Sequence, residues 1–257
     1  MKKHWGKIKR ILELAISLAR ANFKLRNEGS YLGILWYLLN PLLLFLVIIF
    51  IRVAVFSHSK IELYPLYLLL GIIMNNLLVS TLASSIKSIT ENSSFLTSMK
   101  IEHESFVLSN VFQFVFSHLF EVGVFALFMV FYKVSLMGII YYLIILLFFV
   151  LFLIGASFLF ATIGTYVNDF FNIWTFARQI LFFLTPIFYA IKPGDFIYSL
   201  NLFNPFFYFL HISRQVVLYQ RLPEGWMLLI MVGVSLFFLF FGFFVFEKFK
   251  NKFADLL

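Results

Sequence analysis

The stretch Trp5–Leu25, WGKIKRILELAISLARANFKL, runs through Asn27-Glu28-Gly29-Ser30-Tyr31-Leu32-Gly33-Ile34-Leu35-Trp36 into an apolar run broken only by Asn40-Pro41. At about 100° per residue, Trp5, Ile8, Ile11, Leu12, Ala15, Ala19 and Phe23 fall on one side of a helix. Lys9, Arg10, Glu13, Ser17, Arg20 and Lys24 fall on the other. This is the pattern of a helix lying at a membrane surface, its cations toward headgroups and water. The apolar run beyond it is built to cross the bilayer, so surface events are joined to a transmembrane element almost without linker. The helix reads either as an anchor alone or as an anchor that also contacts a cytoplasmic partner.

The rest of the chain is of the second kind. Of 257 residues, 62% are hydrophobic and 12% charged, and Phe occurs 38 times. Soluble domains are roughly a quarter charged. Apolar runs of spanning length recur throughout, which makes this an all-α integral membrane protein with no room for a second soluble domain. Six spans are predicted, at 35–56, 64–86, 105–132, 137–166, 174–190 and 225–246. A polar break, Val167-Asn168-Asp169-Phe170-Phe171-Asn172, separates the fourth from the fifth. The opening residues do not read as a cleaved signal peptide, because an amphipathic pattern stands where an apolar core belongs.

Six spans put both termini on one side, and the basic residues decide which. Eight Lys and Arg before Gly29, with Lys87, Lys100, Arg178, Lys248, Lys250 and Lys252, face Arg52, Lys60, Lys133, Lys192, Arg214 and Arg221. That bias predicts cytoplasmic termini. It also accounts for the net charge of +8 without nucleic acid, through topology and anionic headgroups.

Two segments fit neither span nor simple linker. Residues 87–104 form the main polar cytoplasmic loop, where Ser93 or Ser94 could cap a short helix showing Phe95, Leu96 and Met99 on one face. It is either a docking element or a connector folded onto the headgroups. Residues 191–223 are too aromatic for open water and too polar for a crossing. They are predicted to form short re-entrant helices on the outer side between spans five and six, turning near Asn204-Pro205. Such backbone is tolerated at membrane depth only where protein buries it or it lines a wet cavity.

Several chemistries are absent from the sequence. Cys is missing, so no disulfide or thiolate metal site exists. No G-x-x-x-x-G-K-[ST] loop is present to hold ATP. The only Asp residues are Asp169, Asp195 and Asp255, so there is no Asp-x-Asp pair of the kind that holds a divalent cation and a nucleotide sugar. No metal-binding spacing appears. A membrane transferase therefore lacks its acid–base set. His118 and Glu121, three apart in span three, share a helix face. They read as a proton relay or as a paired contact at a helix or subunit interface, the second reading favoured. Asn75 and Asn76 read as helix–helix hydrogen-bonding groups.

The basic amphipathic helix, Gly29-Ser30-Tyr31-Leu32-Gly33-Ile34-Leu35-Trp36 and Pro41 resemble the opening of the ABC-2 type permeases that export bacterial polysaccharides: O-antigen, capsule and teichoic acid. The likeness continues at Gly164-Thr165-Tyr166 with Asn168-Asp169, at Phe182-Phe183-Leu184-Thr185-Pro186-Ile187-Phe188-Tyr189, and at Asn204-Pro205-Phe206 with Arg214. It covers essentially the whole chain. One departure is Asn168, where the family often has Arg before Asp; a charge contact made by that Arg is missing here or replaced, with Arg178 the candidate.

The resemblance implies a single transmembrane domain over 1–257, acting as a half-transporter in the bacterial inner membrane. Two copies would form the channel. Two copies of a separate nucleotide-binding subunit would bind ATP and Mg and hydrolyse the ATP, so this chain would carry no cofactor and catalyse nothing. The cargo would be a lipid-linked glycan. The 1–30 helix and the 87–104 loop would meet the ATPase, through Arg20, Lys24, Ser94, Phe95, Met99 and Lys100. The glycan path would include Tyr31 at the inner mouth and Tyr189, Phe206, Tyr208 and Arg214 at the outer, since aromatic faces stack on sugar rings. An exporter of drugs or lipids and a proton-coupled carrier using His118 and Glu121 are the alternatives.

Overall fold

A computed structural model of the chain describes residues 2–25, 35–55, 61–93 and 102–253. It is built of helices: α1 (Lys2–Leu25), α2 (Leu35–Val55), α3 (Tyr64–Lys87), α4 (His103–Phe131), α5 (Met137–Tyr166), α6 (Phe170–Leu184), α7 (Phe196–Asn201), α8 (Pro205–Val217) and α9 (Gly225–Phe249). Short 3₁₀ turns lie at Thr90–Asn92 and Lys250–Lys252. No strand occurs among the described residues.

Four helices are long and apolar enough to cross a membrane: α3, α4, α5 and the Gly225–Lys252 stretch containing α9. The apolar stretches Leu39–Ala54 of α2 and Phe170–Leu184 of α6 are shorter. The predicted fifth span is displaced relative to 174–190. α6 starts at Phe170, because only Val167, in extended conformation, and the turn at Asn168-Asp169 interrupt the helix. It stops at Leu184 because Thr185 precedes Pro186 and is held extended, with ψ of 137°; the proline ring excludes the helical conformation from the residue before it. Fifteen residues rise about 22 Å, short of a hydrocarbon core of about 30 Å.

α3 is the axis of the bundle, with Leu66, Leu68, Leu69, Leu70 and Met74 almost wholly enclosed. α5 packs along α9 at glycines. A Cβ on Gly242 would stand 2.0 Å from the Gly155 carbonyl oxygen, and one on Gly155 would stand 2.1 Å from that of Phe238. Small residues allow this approach, the commonest way for helices to associate where lipid removes the hydrophobic drive. α4 ends in a left-handed turn: Lys133 has φ of 56°, and Val134 N–H closes onto the Met129 carbonyl at 2.9 Å.

α1 lies along α4. Its contact line is narrower than the predicted face. Ala15 and Ala19 are fully buried, Ala15 in a cluster with Val107, Leu108 and Phe158, whereas Ile8 and Leu12 stay exposed beside the seam. Two small side chains let α1 settle close to α4, and the larger apolar ones flank it. Lys7 pairs with Glu102 at 3.0 Å, and Phe23 stacks on Phe120 with ring centroids 6.0 Å apart.

Candidate functional site

The region 191–223 folds as predicted into two short helices, α7 and α8, turning at Leu202–Asn204. Asn204 caps α8 by accepting the Phe206 N–H at 3.1 Å, with Pro205 at the first helical position. This hairpin packs against the non-helical segment Thr185–Tyr189 that follows α6. Thr185, Pro186 and Ile187 are buried, so their backbone groups need partners from within the protein.

Side chains from three elements supply them. The Arg214 guanidinium, from α8, donates to the carbonyls of Pro186 at 2.6 Å, Ile187 at 2.8 Å and Tyr67 at 3.1 Å. Its plane lies over the Tyr67 ring, 3.4 Å from the centroid. From α3, the Tyr67 hydroxyl donates to the Tyr189 carbonyl at 2.8 Å and the Tyr64 hydroxyl to that of Phe188 at 3.0 Å. Asn204 donates to the Thr185 hydroxyl at 2.9 Å, and Asn201 to the Leu184 carbonyl at 3.0 Å. The Thr185-Pro186, Asn204-Pro205 and Arg214 motifs, distant in sequence, are thus parts of one hydrogen-bonded knot.

A cavity of about 150 Å³ opens beside this knot, bounded in part by Tyr67, Pro186, His211, Arg214, Gln215 and Tyr219. Burial, reinforced by the Arg214 charge, pushes His211 below the usual histidine range.

The predicted path residues therefore divide. Arg214 and Phe206 are buried, Arg214 on the knot and the cavity. Phe206 packs on Phe149 of α5. Tyr208 is buried and its hydroxyl donates to the Leu202 carbonyl at 2.7 Å. Tyr189 is half-buried and donates to Leu184 at 2.7 Å. These four side chains are engaged in packing and backbone contacts within the chain. Tyr64, Tyr67 and Asn201 belong to the same knot and were missed from the sequence. Their signal was two tyrosines three apart at the head of an apolar helix, whose hydroxyls must find acceptors.

Of the predicted coupling residues, Arg20 and Lys24 are exposed on α1, and Arg20 borders an open groove with Phe23, Phe116, Leu119 and Phe120. Tyr31, Ser94, Phe95, Met99 and Lys100 lie outside the described residues. Arg178 is exposed on α6.

A second polar cluster crosses the bundle. His118 Nδ1 lies 2.9 Å from Glu121 Oε2, and His118 Nε2 lies 2.7 Å from the Tyr142 hydroxyl of α5. Asn76 of α3 donates to Glu121 Oε1 at 2.5 Å, and Ser80 to Asn76 at 3.3 Å. A neutral His118 with its proton on Nδ1 satisfies every contact, accepting from Tyr142 and donating to Glu121. The favoured reading of His118 and Glu121 as a helix-joining pair fits this geometry, as does Asn76 as a helix–helix group. Among the described residues no cluster of three or more His, Asp and Glu could hold a metal ion.

The chain matches the family model described as ABC-2 type transporter over residues 13–218. The chain belongs to the ABC-2 type transporter family. Membership makes it a multi-pass membrane transport subunit that pairs with an ATPase subunit. It is 26% identical over 250 residues to the O-antigen export system permease protein RfbA of Myxococcus xanthus, covering 94% of each chain. A Klebsiella pneumoniae O-antigen export system permease protein RfbA is 25% identical over 252 residues, covering 96% of each. Of the motifs that carry the likeness to ABC-2 permeases, Thr185-Pro186, Asn204-Pro205 and Arg214 meet in this knot, where they satisfy buried backbone groups.

Proposed function

We propose that this chain is the membrane-spanning subunit of an ATP-driven exporter of a lipid-linked polysaccharide of O-antigen type, in the bacterial inner membrane. The observation that carries the reading is the end-to-end likeness to permeases of O-antigen export systems, over 94% and 96% of both chains. Two copies form the translocation path. Two ATPase subunits, which bind ATP and Mg²⁺, dock from the cytoplasm, where both termini lie. Export begins when ATP-driven closure of the ATPases pushes on α1 and the 87–104 segment. α1 rests along α4 and leads through residues 26–34 into α2, so a push on its exposed Arg20 and Lys24 face is delivered to the bundle. Tyr31 meets the glycan as it enters, and aromatic faces allow a polymer to slide without tight binding.

Deleting the gene is the direct test. Loss of surface polysaccharide, restored by the wild-type chain, and co-purification with an ATPase subunit support the reading. Intact surface polysaccharide in the deletion strain overturns it. Changing Phe95 or Met99 to Asp is expected to leave ATP hydrolysis in the purified complex while export, measured as surface glycan, falls at least several-fold. Wild-type export in both variants would remove the 87–104 segment from the coupling path.

A further inference from the structure

Between α1 and the bundle, on the flank of the Ala15–Ala19 seam, lies a cleft of about 480 Å³. Its walls are Ile8, Ile11 and Leu12 of α1, Leu108 of α4, Ile154 and Phe158 of α5, and Phe243 of α9. The volume falls in the range of roughly 300–1,000 Å³ typical of small-molecule sites. Ile8, Leu12 and Phe243 remain 52%, 40% and 46% exposed, so none of the described residues fills the cleft.

The rim has its own chemistry. Lys250 Nζ is shared by two carboxylates, at 2.6 Å from Glu104 Oε1 and 2.5 Å from Glu247 Oε1. Glu104 is only 3% exposed, and its second oxygen, Oε2, has no hydrogen-bond partner among the described residues. Both carboxylates border the cleft. Lys7, also on the rim, pairs with Glu102. Counting these groups, three carboxylates face two ammonium groups. An excess negative charge at the edge of an apolar slot is matched by a cationic donor.

We propose that this cleft binds a phospholipid with a primary-ammonium headgroup, phosphatidylethanolamine, lodged between α1 and the bundle. One acyl chain lies against Ile11, Leu12, Leu108, Phe158 and Phe243. The ammonium donates to Glu247, the more exposed of the two carboxylates, and the phosphate faces Lys7, whose three donors exceed the needs of a single carboxylate. A quaternary ammonium has no N–H to give the Glu247 carboxylate, and an anionic headgroup is repelled by the carboxylate pair. The site wedges the amphipathic helix against the bundle with a lipid. It is independent of what the transporter carries.

The test uses the full chain with its ATPase partner, delipidated in neutral detergent and titrated with phosphatidylethanolamine, phosphatidylcholine or phosphatidylglycerol of identical acyl composition, and read by native mass spectrometry. Phosphatidylethanolamine is expected to bind about tenfold or more tighter than the other two, as befits one lost charged contact. Glu247→Gln should bring it to the level of phosphatidylcholine with the lipid-free melting temperature unchanged. Leu12→Trp, which fills the slot, should displace all three lipids. Equal retention of the three lipids overturns the proposal, as does a phosphatidylethanolamine preference that survives both variants. So does efficient disulfide formation between two copies carrying Phe243→Cys, which would show that a second copy of the chain covers the cleft.

Discussion

Arg214 illustrates what a single side chain does in this protein. Its planar fork meets carbonyls of Pro186, Ile187 and Tyr67 at once, a task for which an ammonium is a poor substitute. Arg214→Met is expected to destabilise the detergent-solubilised protein by on the order of 2–4 kcal/mol, since buried carbonyls lose their donors. Arg214→Lys should recover part of that in a thermal melt. Gly71 sets the space for the fork: a Cβ there stands 2.7 Å from Arg214 Nη2 and 3.2 Å from the Ile187 oxygen. Gly71→Ala should cost about 1–3 kcal/mol, and its cost should shrink in an Arg214→Met background because both act through one contact. At this scale the sequence marks Arg214 as notable but not what it holds. A cation near aromatics is equally compatible with stacking on sugars. The carbonyls it meets come from residues 28 and 147 positions away, a distance that no local pattern encodes. His118 and Glu121 were readable because three residues on a helix share a face. Their further partners, Tyr142 and Asn76, were not, because they come from other helices. Glu121→Gln keeps one acceptor oxygen and puts a donor in place of the other, so Asn76 or His118 must reorient; ATP-dependent export should nonetheless persist, a result that a proton-coupled carrier would contradict.

At the scale of elements, most boundaries follow from local rules. α3, α5 and α9 occupy nearly the residues that hydropathy assigns, and the Asn204-Pro205 turn sits where cap and proline chemistry put it. α6 was misplaced by four residues at its start because the polar string 167–172 reads as a loop. Asn172 is in fact helical, exposed in the first turn of α6. Its end was misplaced because Thr185-Pro186 was read as a signature rather than as a stop. The α5–α9 crossing gives a sharp element-level test, because two of the three glycines of α9, Gly233 and Gly242, sit in different settings. Gly242→Ala would drive its Cβ to 2.0 Å from the Gly155 oxygen, whereas a Cβ on Gly233 meets nothing within 4 Å. Gly242→Ala is therefore expected to lower the melting temperature markedly as α5 and α9 are pushed apart. Gly233→Ala should be neutral or stabilising by up to about 1 kcal/mol, through helix propensity. Equal effects of the two would show that the crossing is not close-packed.

For the whole molecule, composition alone establishes a helical membrane protein, and the ordered landmarks place it among ABC-2 permeases. How the pieces are joined emerges only from the fold. The amphipathic first helix meets the bundle along α4, through two buried alanines, the Phe23–Phe120 pair and the Lys7–Glu102 ion pair. The knot around Thr185–Tyr189 is different in kind. It ties α3, the end of α6 and the α7–α8 hairpin through one non-helical stretch of chain whose carbonyls are met by donors from α3 and the hairpin. Pulling any one of these elements away would strand carbonyls in an apolar medium, so the three have no inexpensive way to part. During a transport cycle they are therefore expected to travel as one block, and opening must occur at that block's borders. Spin labels on α3 and α8 should hold a fixed separation with and without nucleotide, while distances from either to α1 change.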